Sequence, residues 1–236
     1  IYKAGINPKK IVFSGVGKTS EEISYAIEKE ILLINAESDS EIKVIEKIAK
    51  LKNKKVKVGI RLNPNTDAKT LSQISTGKKE NKFGVNEKIF YELLNYCKNS
   101  NYIDLKCLSV HIGSQILDHR PYERMLNVIS RILNKINHKF DFIDLGGGMG
   151  ISYNKKNKNL NYAKYNFAIK KFLKKHKSKI IFEPGRSIVG NTGTLISKVI
   201  YIKKNGKKNF VILDVAMNDL MRPALYGCSA RNFAIN

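Results

Sequence analysis

Glu183-Pro184-Gly185-Arg186-Ser187 follows the short apolar run Lys179 to Phe182, and it is the third segment of its kind in the chain. His111-Ile112-Gly113-Ser114-Gln115 ends the run Leu105 to Ile112, and Gly146-Gly147-Gly148 follows Phe140 to Leu145. Polar and glycine-rich residues at the carboxyl ends of strands that alternate with amphipathic helices are the pattern of an α/β barrel holding a phosphorylated cofactor on one face. Outward from these segments, further apolar, β-branched runs predict strands at Ile11 to Phe13, Ile31 to Ile34 and Val56 to Leu62. Between the runs, apolar residues near spacings of three and four predict helices over Ser20 to Lys29, Ser40 to Leu51, Asn86 to Lys98, Pro121 to Ile136 and Ala163 to His176. Ser20 ahead of Glu21 and Glu22, and Ser38 or Ser40 ahead of Glu41, offer cap oxygens and acidic first turns. Six strand-helix units are two short of a closed eight-stranded barrel, whereas an open doubly wound sheet would need no more. After Ser187 the texture changes. Leu195 to Ile202 and Phe210 to Val215, around Asn205-Gly206, predict a β-hairpin whose turn wants positive φ. They read as the first strands of a β-rich domain, too few to fold alone.

At 236 residues the chain can bury a substantial core as one domain, or as one domain and part of another. It begins with Ile1 rather than Met and ends abruptly at Asn236, so a piece of a longer protein is expected. No apolar run of about 18 residues and no basic start before an apolar stretch predicts a membrane span or a signal peptide. Cys97, Cys107 and Cys228 lack the paired spacing of a disulfide framework or a zinc site, so no metal and a reducing, cytoplasmic setting are expected. The net charge of +23 suggests nucleic acid as a partner, but 36 of the 43 basic residues are Lys, only 7 are Arg, and Asn is abundant at 24. The charges are spread along helices and loops with no basic stripe of interleaved aromatics, which is the composition of ordinary solvated surface. The densest runs, Lys155 to Lys158 and Lys170 to Lys179, fall in a loop and on a helix face.

Each motif has a plainer reading on its own. Gly15-Val16-Gly17-Lys18-Thr19 looks like the end of a phosphate-binding P-loop, yet the first glycine of that pattern would fall at position 12, which is Val. His111 alone is more often a hydrogen-bonded strand-end histidine than a catalytic one. Gly146 to Gly148 could be only a tight turn, although consecutive glycines let backbone N–H groups approach an anion closely. Glu183 could be a surface carboxylate before a proline turn. The weight lies in their conjunction at equivalent ends of separate strands.

Several further segments, in order, carry a resemblance: Phe13 to Thr19 with Glu21-Glu22-Ile23, Ser75-Thr76-Gly77 to Glu80-Asn81-Lys82-Phe83-Gly84, Leu145 to Gly150, and Met217-Asn218-Asp219-Leu220-Met221-Arg222-Pro223-Ala224-Leu225-Tyr226. The chain, from Ile1 to about Tyr226, resembles the fold type III family of pyridoxal phosphate enzymes, which includes ornithine and arginine decarboxylases and, more distantly, alanine racemase. The segment Met217 to Tyr226 sets it apart from the ornithine branch and resembles the branch that converts meso-2,6-diaminopimelate to L-lysine. The resemblance implies a (β/α)8 TIM-like barrel of the alanine racemase and ornithine decarboxylase type over residues 1–187, incomplete at its N-terminal end, then the start of a β-domain over 188–236. It implies pyridoxal phosphate as cofactor, a small amino acid as substrate, and a cytoplasmic homodimer with the active site at the interface.

By the same resemblance Glu183 faces the pyridine nitrogen and His111 lies over the ring. Ser114, Gly146, Gly147, Gly148, and the backbone at Gly185 and Arg186 cradle the phosphate, while Arg61 is a candidate for the ring's phenolic oxygen. Arg186, Arg222 and Tyr226 fall to the substrate, and an arginine fork suits the second carboxylate of diaminopimelate. Two features of the family are not found. The lysine that forms the Schiff base, in a stretch like Tyr-Ala-x-Lys-Ala-Asn, belongs ahead of the matched region. The Cys-Glu-Ser-Gly-Asp segment that supplies a proton donor across the dimer is also missing, and Cys228 comes too early to be that cysteine. The chain alone is therefore expected to be inactive. Another amino acid or polyamine decarboxylase of this fold, and a non-catalytic decarboxylase homologue, are the other readings.

Overall fold

The computed structural model describes residues 2–68, 82–153 and 159–226. The motif residues Ser75 to Asn81, the run Lys155 to Lys158, and Cys228 lie outside the described residues. Six strands, β1 Val12–Phe13, β2 Leu33–Ala36, β3 Val56–Arg61, β4 Ile103–Ser109, β5 Phe142–Asp144 and β6 Lys179–Ile181, alternate with helices α1 Ser20–Glu28, α2 Asp39–Leu51, α3 Glu87–Lys98, α4 Arg120–Leu133 and α5 Tyr162–Lys175. The strands pair in parallel, each with its neighbours in sequence, in the order β1-β2-β3-β4-β5-β6. That order decides between the two architectures left open by the pattern. A doubly wound sheet reverses its strand order at a switch point, whereas a barrel adds each strand beside the last. The sheet is an incomplete (β/α)8-type barrel.

The apolar stretches mark strands of a parallel sheet whose faces are covered; all four residues of β2 are buried, whereas Lys57 of β3 is exposed. Each helix buries a stripe at spacings of three and four: Ile23, Ala26 and Ile27 on α1, Ile42, Ile45 and Ala49 on α2, Phe90, Leu93, Leu94 and Cys97 on α3. Further round, α4 lays Tyr122 against Tyr165 of α5 with ring centroids 4.3 Å apart. Caps fix where the helices start. Thr19, rather than Ser20, caps α1: its hydroxyl accepts from Glu22 N while the Glu22 carboxylate accepts from Thr19 N. Ser38, not Ser40, caps α2 and accepts from Glu41 N. Lys18 then ties the β1 loop to the rest. Its amine, buried with 1% of the side chain exposed, donates to Gly15 O at 2.5 Å, Asn35 O at 2.7 Å and Glu41 Oε1 at 2.7 Å.

β4 ends at Ser109 instead of Ile112. Val110 and Ile112 are fully buried beyond the strand; Val110 N still donates to Asp144 O of β5 at 2.8 Å, and Ile112 forms the floor of a loop. After a short helix, α6 Arg186–Val189, β7 Val199–Asn205 and β8 Lys208–Leu213 form a separate antiparallel ribbon, with Gly206 at φ 60° in its turn. Both strands lie closer to the turn than the apolar runs predict, and every residue of both is exposed. A short helix, α7 Met221–Tyr226, ends the described chain.

Candidate active site

The three strand-end segments meet, and the glycine loop after β5 is the hub. Gly146 and Gly148 adopt φ of 62° and 88°, a region in which side chains are strained. A Cβ on Gly146 would stand 2.6 Å from His111 Nδ1, one on Gly147 2.1 Å from Glu183 O, and one on Gly148 2.1 Å from Gly113 O. Only hydrogen fits at each position, which is why three glycines stand in a row. Backbone bonds lock the meeting: Glu183 N donates to Gly146 O at 2.9 Å, and Ile116 N donates to Gly148 O at 2.9 Å.

His111, expected on a strand, sits in the loop after β4. Its Nδ1 accepts from Gly147 N at 3.1 Å, a bond that assigns the ring proton to Nε2. Burial, with a smaller push from the Arg61 charge, lowers its pKa from 6.5 to about 4. The imidazole is therefore a neutral, flat surface at neutral pH. Arg61, at the end of β3, donates to Glu37 Oε1 at 2.6 Å and lies 5.0 Å over the Phe83 ring. Glu37 also accepts from Gly84 N at 3.1 Å, so the guanidinium is held between two loops.

Glu183 is half-buried and is aimed by a network that spans the sheet. Ser14 Oγ, just after β1, donates to Glu183 Oε1 at 2.5 Å and accepts from Asn35 Nδ2 at 3.0 Å. Asn35 Nδ2 also donates to Asp144 Oδ2 at 2.7 Å, and Gly146 N donates to Asp144 Oδ1 at 2.9 Å. Asp144 is fully buried at the end of β5. Burial first, and then the neighbouring Glu183, raise its pKa from 3.8 to about 7.

On the other side of the glycine loop, Arg186 Nη1 donates to Gln115 Oε1 at 3.0 Å. Gln115 also binds Ile151 from both sides, donating from Nε2 to Ile151 O at 2.6 Å and accepting from Ile151 N at 3.3 Å. This clamp sets Tyr153, whose ring lies 6.0 Å from the Arg186 guanidinium and 4.1 Å from that of Arg222. Arg222 on α7 and Arg186 on α6, far apart in sequence, thus face one ring. Ser114 is half-buried between Gly113 and Gln115, Gly185 precedes α6, and the Tyr226 side chain lies outside what is described. The amides of Gly148, and of Arg186 and Ser187 in the first turn of α6, find no acceptor among the described residues. Open donors beside a floor where no Cβ fits suit a closely held anion. Sequence reading passed over Ser14, Asn35, Glu37, Asp144 and Tyr153.

The family model for the pyridoxal binding domain of pyridoxal-dependent decarboxylases matches residues 1–190. The chain is 41% identical over 227 residues to a diaminopimelate decarboxylase of Aquifex aeolicus, a match that covers 95% of this chain and 54% of that protein. It is 45% identical over 227 residues to one of Helicobacter pylori strain J99, covering 95% and 56%. The crystal structure of diaminopimelate decarboxylase from Helicobacter pylori complexed with L-lysine superposes with a TM-score of 0.93 at 43% identity, covering 98% of this chain and 58% of that one. An arginine decarboxylase from Paramecium bursaria Chlorella virus, at 22% identity and a TM-score of 0.78, shares the fold. The chain spans about half the length of the curated relatives it matches.

Proposed function

Because the chain belongs to the pyridoxal-dependent decarboxylase family, with pyridoxal phosphate as its cofactor, we propose that the protein converts meso-2,6-diaminopimelate to L-lysine and carbon dioxide, the last step of lysine biosynthesis. The observation that carries this reading is the convergence of Arg186 and Arg222 on Tyr153, at the rim of the glycine loop. A substrate with an amino acid group at each end must be gripped by the carboxylate that does not react, and two guanidinium groups facing one spot suit that task. Ornithine, with a single carboxylate, has no use for such a grip.

The residues fit the cofactor. The open amides of Gly148, Arg186 and Ser187, with Ser114, supply donors for its phosphate, and the bare glycine floor lets it approach. When bound, the pyridine ring accepts the electron pair left as carbon dioxide departs, and does so best with its nitrogen protonated. Glu183 presents a carboxylate to hold that proton. His111 offers its neutral face to the ring and limits how the scissile bond is turned. Arg61, braced by Glu37, would serve the ring's phenolic oxygen, and the family resemblance assigns Tyr226, with the two arginines, to the substrate. Residues 1–187 are read as the cofactor-binding barrel domain and 188–236 as the start of a β-domain, in a cytoplasmic homodimer whose active site lies at the interface. The separate β7–β8 ribbon supports that division, and among the described residues no helix is long and apolar enough to cross a membrane.

The test is turnover by the full-length protein, loaded with pyridoxal phosphate, on diaminopimelate, ornithine and arginine. Diaminopimelate should be preferred, and Arg222→Met should lower its kcat/KM by roughly 30- to 1,000-fold, the equivalent of about 2–4 kcal/mol for a lost charge-assisted grip. If the variant handles diaminopimelate as well as the parent, Arg222 does not hold the distal carboxylate and an ornithine-type substrate regains ground.

A further inference from the structure

Polar residues are costly inside a parallel sheet unless partnered, yet this chain buries Asn35 on β2 and Asp144 on β5, with 1% and 0% of their surface exposed. Both lie on one hydrogen-bonded path that ends at Glu183. The path has a direction. The two Asn35 amide hydrogens go to Ser14 Oγ and Asp144 Oδ2. Ser14 Oγ in turn donates to Glu183 Oε1. Glu183 therefore accepts a hydrogen bond at the end of that path. Room for this arrangement is built into a third strand: Gly59 on β3 carries no side chain, and a Cβ there would stand 2.1 Å from Asn35 Oδ1. Among the described residues that oxygen has no hydrogen-bond partner, so Asn35 is kept in place for what its nitrogen donates.

Asp144 and Glu183 form a pair of neighbouring carboxyls, and two such groups do not both ionise readily in a buried site. One proton must be shared between them, and burial decides where it rests. Asp144 is sealed from solvent while Glu183 reaches the site. We propose that Asp144 is a positioning residue that keeps a proton beside Glu183, so that the pair presents a single negative charge, on Glu183, to the cofactor's ring nitrogen. Ser14 and Asn35 set which carboxyl carries that charge. This deepens the decarboxylase reading and rests on it.

The donors to Asp144 from Asn35 and Gly146 pull towards its ionised form, and burial with the Glu183 charge outweighs them, leaving a pKa of about 7. Two nearby titratable groups are neutral. Burial holds the Cys107 thiol on β4 protonated, and His111, beyond Gly147, is uncharged.

The experiment is infrared difference spectroscopy on the full-length protein freed of cofactor, titrated on either side of pH 7. The expected result is the carbonyl band of one buried carboxylic acid that disappears as pH rises through about 7. Carbon-13 labelling of aspartate should shift the band and labelling of glutamate should not, a readout that needs no variant. Asp144→Asn should abolish the band, and Ser14→Ala should make the label-sensitive signal partly that of glutamate. Absence of the band in the parent, or a band that follows the glutamate label there, overturns the proposal. Cofactor binding and diaminopimelate turnover are measured on the same preparation. Their failure with the aspartate band intact would sink the decarboxylase reading and leave the shared proton standing.

Discussion

Gly147→Ala should disable the site while adding only one methyl group. The new Cβ would stand 2.1 Å from Glu183 O, whereas ordinary contact begins at 3.4 Å, so the two backbones must part by more than 1 Å. The Glu183 segment cannot yield freely, because its amide is bonded to Gly146 O at 2.9 Å and its carboxylate to Ser14 at 2.5 Å. Overpacking of this kind costs about 1–3 kcal/mol of stability. A shift of roughly 1 Å in a reacting group costs on the order of 100-fold in rate. In full-length protein we expect kcat/KM for diaminopimelate to fall about 100-fold and the urea midpoint to move down. Gly17→Ala is the control: nothing lies within 4 Å of its Cβ position, so activity and stability should hold. If Gly147→Ala retains activity within threefold of the Gly17→Ala control, then close approach of the two loops does not position Glu183, and the geometric account of the glycine run is wrong.

Lys18→Met should cost about 3–5 kcal/mol in urea unfolding, since it strips the cation from the largely buried Glu41; adding Glu41→Leu should recover part of the loss, and a single-variant loss below about 1 kcal/mol would show that the pair carries little. His111 has a folded-state pKa depressed from 6.5 to about 4, so the folded chain binds fewer protons than the unfolded one, and stability present above pH 6.5 is lost as pH falls towards 4. His111→Gln should remove on the order of 3 kcal/mol of that pH-dependent loss, and an unchanged acid limb in urea titrations would contradict the lowered value. Glu183→Gln should cut turnover by far more than it weakens pyridoxal phosphate binding, because it removes charge and keeps shape; equal turnover at full occupancy would remove Glu183 from the chemistry.

Strand and helix alternation was legible because strand burial writes short apolar, β-branched stretches, and one-sided burial writes the helices as stripes. Where apolar character and strand pairing have different causes, the reading overran: Ile112 is buried as loop floor and not as strand. Strand count alone did not settle the kind of sheet, since six units serve an open sheet or a barrel equally and the neighbour order separates them. In the site, the glycine run and the two strand-end motifs are local signals. The Ser14, Asn35 and Asp144 path is not, because its members lie on separate strands. A hint was present in each run: a lone Asn in Leu32-Leu33-Ile34-Asn35-Ala36, a lone Asp in Phe142-Ile143-Asp144-Leu145, and a mid-strand glycine in Val58-Gly59-Ile60. A polar residue sealed in a doubly covered strand needs a partner, and a strand glycine marks a close approach, so the three together announce a side chain crossing from one strand to another. The tenure of Tyr153 beside two arginines left no comparable mark, since nothing local distinguishes a tyrosine in a polar loop.

The neighbour order of the sheet also bears on how the chain comes together. Every strand of the parallel sheet pairs only with the one before and the one after it in sequence, so each pairing closes a loop of a single strand-helix unit. Loop-closure entropy grows only slowly with loop length, and no pairing must wait for a distant segment to arrive. Assembly can therefore begin at any adjacent pair and spread by docking one unit at a time, with β3 and β4, the longest and most extensively registered pair of the parallel sheet, as the natural starting point. The cross-sheet bond from Ser14 to Glu183 joins the first strand to the last, so the site is completed only when that growth has finished.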